Sequence, residues 1–378
     1  MAAVFWSAVF FVFYAYVGYP LLLMLLSLIK SRPVRKGDAT PSLSFIITAH
    51  NEESRIREKL ENTMALDYPR ERLEVIVASD CSTDETDAVV KSYEPRGVRL
   101  VRAPQRNGKE AAQNLAVQAT SGEVLIFSDV ATILLPNAIR NIVRNFTDPT
   151  VGCVSSVDKI IDAEGKVSGE GAYVRYEMLV RDLETRANTL VGLSGSFFAA
   201  RRAVCLNWQS ELQSDFNTLL NAVRLGLRGV SDPESVGYYK NIADETREYE
   251  RKVRTVLRGI SVFMKSLPML NPFRYGLFSW QLLSHKLCRW LVPFAMLAAF
   301  LCNAALISVS FYLYLFGLQS VGYGFAIQSI WTKRLSQNPI LKLPAYLVIV
   351  NLSILDAWFR YCRGERVVRW NPSQREAS

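Results

Sequence analysis

Two long stretches of this chain contain no charged side chain: residues 1–29 and Trp290 to Thr332. A helix of about 20 apolar residues crosses a bilayer core, so the first stretch suits one crossing and the second two. Helices are what such stretches must become, because lipid leaves every backbone N–H and C=O to be satisfied within the segment. The first stretch has no basic start, and Lys30, Arg32, Arg35 and Lys36 follow it at once. That pattern is unlike a cleaved leader and favours an outside N-terminus with a cytoplasmic middle.

The net charge is +9, and basic residues crowd the edges of the apolar stretches, at 30–36, 251–258, 333–334 and 360–369. Anionic lipid head groups account for such borders. No nucleic-acid-binding motif accompanies the charge, so nucleic acid is not expected as a partner. The six cysteines include no Cys-x-x-Cys pair, and the histidines are His50 and His285 alone. A structural zinc site or a disulfide framework is therefore not expected.

Between the apolar stretches, short apolar runs alternate with helical spacing. LSFIIT (43–48), LEVIVAS (73–79), GVRLVRAP (97–104) and EVLIFSD (123–129) read as strands. Residues 55–66 and GKEAAQNLAVQAT (108–120) read as helices. This alternation predicts right-handed βαβ units and a mostly parallel, Rossmann-like sheet in an α/β domain. After Val151 the rhythm weakens. VGCVSSVDKII is strand-like, 170–190 helical, GLSGSFFAARRAV a glycine-hinged turn entering a strand, and SDFNTLLNAVRLG (214–226) an amphipathic helix. Residues 251–267 place Val253, Val256, Leu257, Ile260, Met264 and Leu267 on one face, the pattern of a helix in the membrane interface or of an ordinary surface helix. The second uncharged stretch fits a helical hairpin broken near Gly317–Gly324, and 343–359 forms a last apolar segment of open topology. The expected organisation is a transmembrane helix over 1–30, a cytosolic domain over 40–250 and interface helices over 251–286. Membrane segments would follow over 287–360, with a cytoplasmic tail over 361–378.

In a parallel sheet, ligands gather beyond the carboxyl ends of the strands, where Asn51, Asp80 and Asp129 stand. TAHNEE (48–53) suits a helix N-cap, or nucleotide contacts through the backbone and Glu52. Asp80 either caps the following helix, as Ser82 and Asp84 would, or bonds a base or ribose. Lys109 opens a helix, where an ammonium favours phosphate; a solvent lysine is the alternative. Asp129 is a loop aspartate or a ligand for Mg2+ or Mn2+ shared with a diphosphate. Asp215 is a cap or a general base that takes a proton from an acceptor hydroxyl. Arg251 and Arg254 share one helix face and suit a leaving diphosphate.

Taken in order, NEE, Asp80, Gly108-Lys109, Asp129, a Ser-Gly turn, SDF and Arg251-x-x-Arg254 resemble the family-2 glycosyltransferases of the GT-A fold. The likeness is to the membrane-embedded branch with cellulose, chitin and hyaluronan synthases, and covers roughly residues 40–310. The resemblance implies nucleotide contacts from Thr48, Asn51, Glu52, Asp80 and Lys109 and metal binding at Asp129. It implies an acceptor-lining turn at Ser194, Gly195 and Ser196, and a catalytic base at Asp215. An inverting transfer from a nucleotide sugar, UDP-linked, to a lipid-linked or growing polysaccharide is the implied activity, in exopolysaccharide or cell-envelope glycan synthesis. Its place would be a bacterial inner membrane, multi-pass, with the catalytic domain cytoplasmic, membrane lipids around it and an export or assembly protein beside it.

Two departures stand out. Ala131 occupies the family's second acidic metal position, which implies weak metal binding. Arg251-x-x-Arg254-Thr255 lacks the family's glutamine and tryptophan, which leaves polymer synthesis and single addition to a polyprenyl carrier both open. Rival classes are a non-catalytic assembly subunit, motivated by Ala131, and a transporter or channel, motivated by apolar content alone; Asp356, near a membrane end, reads as a snorkelling or interfacial group.

Overall fold

The computed structural model describes residues 1–161, 172–240, 245–331 and 339–367, and the chain divides into two units. One is built on a sheet and comprises Lys30–Gly171, Glu184–Ala243 and Val367–Ser378. The other is helical and comprises Met1–Ile29, Ala172–Leu183 and Asp244–Arg366.

The sheet unit starts from β1 (Leu43–Ala49), in which all seven residues are buried. A strand buried along its whole length is covered on both faces, which is the habit of parallel sheets. Around it lie β2 (Leu73–Ser79), β3 (Val98–Arg102), β4 (Val124–Asp129), β5 (Ile133–Leu134), β6 (Val151–Ile161), β7 (Phe197–Arg201) and β8 (Arg228–Lys240). The order across the sheet is β3-β2-β1-β4-β7-β6-β8-β5. β3, β2, β1 and β4 run parallel, β7 is antiparallel to both β4 and β6, and β6 and β8 are again parallel. The sheet is thus mixed and mostly parallel, as the alternating pattern predicts.

Strand alternation sends successive side chains to opposite faces. Phe45 and Ile47 join Val75, Val77 and Ile126 on one face, against Ile56 and Leu60 of the helix Glu53–Met64. Ile46, Ile76 and Phe127 occupy the other, with Ala112 and Ala116 of the helix Lys109–Gln118 and Leu219 of the helix Ser214–Arg224. The chain winds β1→β2→β3 to one side of β1 and then places β4 on the other. That reversal of strand order opens a crevice at the carboxyl ends of β1 and β4, where Thr48 and Asp129 are register partners.

In the helical unit, Ala2–Ile29 and Leu277–Ala304 are each 28 residues long and apolar enough to cross a membrane. Phe5 and Ala8 of the first pack against Ala299 and Cys302 of the second. The helix Glu245–Lys265 buries Val253, Leu257, Ile260 and Phe263, and Phe263 meets the Trp290 ring edge-on at 5.7 Å.

The expected break at Gly317–Gly324 is not there. Ser310–Trp331 is one continuous helix through all three of its glycines, and the turn falls at 305–309 instead. A glycine weakens a helix by backbone freedom. In apolar surroundings an unmade backbone hydrogen bond costs more, so the helix persists. The turn is closed by Leu306 N–H to Asn303 O and Val309 N–H to Leu306 O, both 3.0 Å. The last apolar segment forms the helix Pro339–Cys362.

Candidate active site

The loops leaving β1 and β2 are laced together. Asn51 and Cys81 both adopt left-handed backbone conformations, φ 53° and 54°, a conformation sparsely used by residues other than glycine and common at functional turns. The Asn51 carboxamide oxygen accepts from Thr83 N–H at 2.8 Å, and the Asn51 backbone N–H donates to Ser82 Oγ at 3.2 Å. Glu52 N–H donates to Thr86 Oγ1 at 2.7 Å. The buried Glu52 carboxylate pairs with Arg55 at 2.6 Å. Burial pushes its pKa up against Arg55, and nearby Asp129 and Asp84 add to the rise. Beside it the Thr48 hydroxyl is buried and has no hydrogen-bond partner among the described residues.

Asp80 is 1% exposed. Its carboxylate accepts from Asn107 N–H at 2.9 Å and from Gly108 N–H at 2.9 and 3.1 Å, and so holds the loop that delivers Lys109. Gly108 has φ 96°, a value suited to glycine, and Lys109 begins the next helix. The Lys109 ammonium then donates to Asp129 Oδ1 at 2.5 Å and to the Gly195 carbonyl at 3.1 Å.

Gly195 links to Asp215. A β-carbon on Gly195 would lie 2.8 Å from Asp215 Oδ2, so this glycine permits the approach. Asp215 is not the helix cap, which is Gln213. It sits in the first turn of Ser214–Arg224, where the helix dipole favours an anion. Gln213 Nε2 donates to Oδ2 at 3.0 Å, and Phe216 N–H to Oδ1 at 2.7 Å. Lys109, Asp129, Gly195 and Asp215 therefore form one run of neighbours in the sheet unit, and Asp80 holds the loop that leads into it.

Two residues at this locus escape a reading of motifs. Asp158 of β6 accepts from Ser194 Oγ and Ser196 Oγ, each at 2.5 Å, and so braces the Ser-Gly-Ser turn from below. Its signal is the lone acid of the strand VGCVSSVDKII. Lys59 is fully buried on the apolar face of Glu53–Met64, with Ile56, Leu60 and Thr63. It donates to Ser128 Oγ at 2.7 Å and to the Thr132 carbonyl at 2.5 Å, spanning the turn that carries Asp129. Burial lowers its pKa to about 7, with Asp129 pulling the other way. A lysine at core spacing is the sequence signal.

Arg251 and Arg254 lie on Glu245–Lys265, in the helical unit. Arg254 is half-buried, and burial with Arg258 and Arg251 lowers its pKa from the ordinary arginine value.

A resident metal centre would need several oxygen or nitrogen ligands. Among the described residues no group of three His, Cys, Asp or Glu side chains converges to form one. Ala131 stands two residues beyond Asp129, and Lys109 already engages the Asp129 carboxylate. A hard cation is commonly held by one or two carboxylates together with substrate phosphates. The locus fits a cation of that kind, one that shares Asp129 with a diphosphate.

Comparison with known proteins agrees with this geometry. Residues 44–206 match the family model described as glycosyl transferase family 2. A poly-beta-1,6-N-acetyl-D-glucosamine synthase of Staphylococcus aureus (strain COL) is 25% identical over 210 residues, 53% of this chain and 50% of that protein. The beta-monoglucosyldiacylglycerol synthase of Synechocystis sp. (strain ATCC 27184 / PCC 6803 / Kazusa) is 28% identical over 187 residues, 46% of this chain and 39% of that one. The chain thus spans half or less of the length of these curated relatives. The fold is shared with the mannosyltransferase PcManGT of Pyrobaculum calidifontis, solved in complex with GDP-Man and Mn2+. That match has a TM-score of 0.70 and 23% identity, over 93% of this chain and 98% of the other. Residues 44–206 thus form a domain that matches glycosyl transferase family 2 and has the GT-A fold.

Proposed function

We propose that the chain is an inverting glycosyltransferase that moves one sugar from a nucleoside-diphosphate donor, UDP-linked, to a hydroxyl of a lipid-linked or growing polysaccharide acceptor. The observation that carries this reading is the run of contacts from Lys109 through Gly195 to Asp215. It sets an ammonium suited to a diphosphate one glycine away from a buried carboxylate. Thr48, Asn51, Glu52 and Asp80 shape the nucleotide end, either directly or by holding its loops. Asp129 shares Mg2+ or Mn2+ with the donor diphosphate, and such a cation, when bound, offsets charge on the leaving group. Ser194, Gly195 and Ser196 line the acceptor position. Asp215 takes the acceptor proton as the hydroxyl oxygen bonds the anomeric carbon. The bond from that carbon to the diphosphate oxygen breaks, and the nucleoside diphosphate leaves, met by Arg251 and Arg254.

The sequence boundaries given above are the proposed domain organisation, with the enzyme in a bacterial inner membrane and its catalytic domain cytoplasmic. The two 28-residue apolar helices support membrane residence. The staphylococcal relative, a poly-beta-1,6-N-acetyl-D-glucosamine synthase by name, supports a polysaccharide product. The cyanobacterial relative, a glucosyldiacylglycerol synthase by name, supports a second reading in which a single sugar is added to a lipid.

Membranes bearing the protein, challenged with a panel of radiolabelled nucleotide sugars, should release nucleoside diphosphate from one of them. The labelled product then separates the readings by length: a ladder for polymer, a single lipid-soluble band for one addition. Release from none of the sugars, in membranes supplied with lipid extract and Mn2+, would refute transfer altogether.

A further inference from the structure

The Asp129 carboxylate is the single acid at the family's metal position, and a lysine already sits on it. Lys109 Nζ lies 2.5 Å from Asp129 Oδ1, with the Lys109 side chain 9% exposed and that of Asp129 24%. The same ammonium is tethered to the Gly195 carbonyl at 3.1 Å, so it is fixed on two sides. A second lysine, Lys59, grips Ser128 and Thr132 on either side of Asp129. No further acid stands two residues on, where Ala131 is found. A dication approaching Asp129 therefore meets a carboxylate that the Lys109 ammonium already neutralises. In a partly desolvated site, like-charge juxtaposition is strongly unfavourable.

We propose that Lys109 and the divalent cation compete for Asp129, so that the cation enters only in company with a diphosphate. Phosphate oxygens offer the Lys109 ammonium a second anion. When they take it, Asp129 is released to a cation that the same oxygens help to hold. Metal and donor then bind as a coupled pair, and the free enzyme carries Lys109 in the cation's place. The inference rests on the donor reading above, but its test does not use turnover.

Mn2+ binding to the full-length protein in detergent is followed by electron paramagnetic resonance, without nucleotide and then with UDP. In the absence of nucleotide, Lys109→Met should bind Mn2+ about tenfold more tightly than wild type, a factor equivalent to about 1.4 kcal/mol. Lys109→Arg keeps the competing charge and should stay within about twofold of wild type, while an unchanged melting temperature shows that each variant is folded. UDP should tighten Mn2+ binding to the wild type and do so much less in Lys109→Met. Equal Mn2+ affinity in wild type and Lys109→Met would overturn the proposal. So would tight Mn2+ binding to the wild type that UDP leaves unaltered. A protein that fails to bind UDP, yet gains Mn2+ affinity in Lys109→Met, would count against UDP as the nucleotide and leave the competition supported.

Discussion

Adding one methyl group at Gly195 tests the role of Asp215 without altering the carboxylate itself. A β-carbon there would lie 2.8 Å from Asp215 Oδ2, whereas ordinary contact begins at 3.4 Å, so the carboxylate must retreat by about 0.6 Å. Gly195 is outside the left-handed region, so alanine meets no backbone strain. The Lys109 hydrogen bond goes to the Gly195 carbonyl, which the substitution leaves in place. A misplacement of about 1 Å at a reacting group can cost about 100-fold in rate. Gly195→Ala should therefore lower kcat by about tenfold or more, with the affinity for nucleoside diphosphate unchanged. The assay pairs initial rates of donor turnover with calorimetric titration of UDP. A Gly195→Ala enzyme with wild-type kcat would refute the placement of Asp215 at the reacting hydroxyl. A parallel loss of UDP affinity would show instead that the turn had collapsed.

Two further substitutions address the framework. The Lys59 pKa is near 7 in the folded chain against 10.5 in the free side chain. The native state therefore binds fewer protons than the unfolded state between those values, and wild-type stability should rise with pH across that window. The difference of 3.5 units corresponds to about 5 kcal/mol, imposed in full below pH 7. Lys59→Met removes this dependence together with two hydrogen bonds. Its melting temperature should approach or exceed that of wild type at pH 6 and fall below it at pH 9; a constant difference across that range would contradict the assignment. Gly122→Ala would set a β-carbon 2.5 Å from the Ser44 amide nitrogen of β1. Backbone cannot step aside as a side chain can, so a loss of about 1–3 kcal/mol is expected from chemical denaturation, and an unchanged midpoint would dispute the close packing there.

The strands with plain apolar runs were readable from the sequence: LEVIVAS and VGCVSSVDKII coincide with β2 and β6 to the residue. The apolar runs also foretold that Asp80 follows β2 and that Asp129 ends β4. β8, at 13 residues the longest strand, gave no such signal, because RGVSDPESVGYYK carries Pro233, two glycines and several polar residues. Its Asp232 is completely buried, which is tolerable because Lys36, Asn145 and Ser235 all donate to it. Lys36 and Asn145 lie far away in sequence, so a buried polar strand reads locally as a loop. Shifts in its register with β6 break the alternation further. Lys59 and Asp158 were hidden for the same reason: each has its meaning in partners that only the fold supplies. The approach of Gly195 to Asp215 likewise depends on the turn into β7, an antiparallel strand inserted beside β4.

In the proposed mechanism Asp215 performs the proton transfer, in a site whose donor end is built by other residues. Asp215→Asn keeps the size and one carbonyl oxygen of the side chain while removing its basicity. Donor turnover and UDP affinity measured on the same purified preparation give the direct test. The expected result is UDP binding as in wild type with turnover reduced by about 100-fold or more. Turnover at the wild-type rate would contradict the mechanism proposed here.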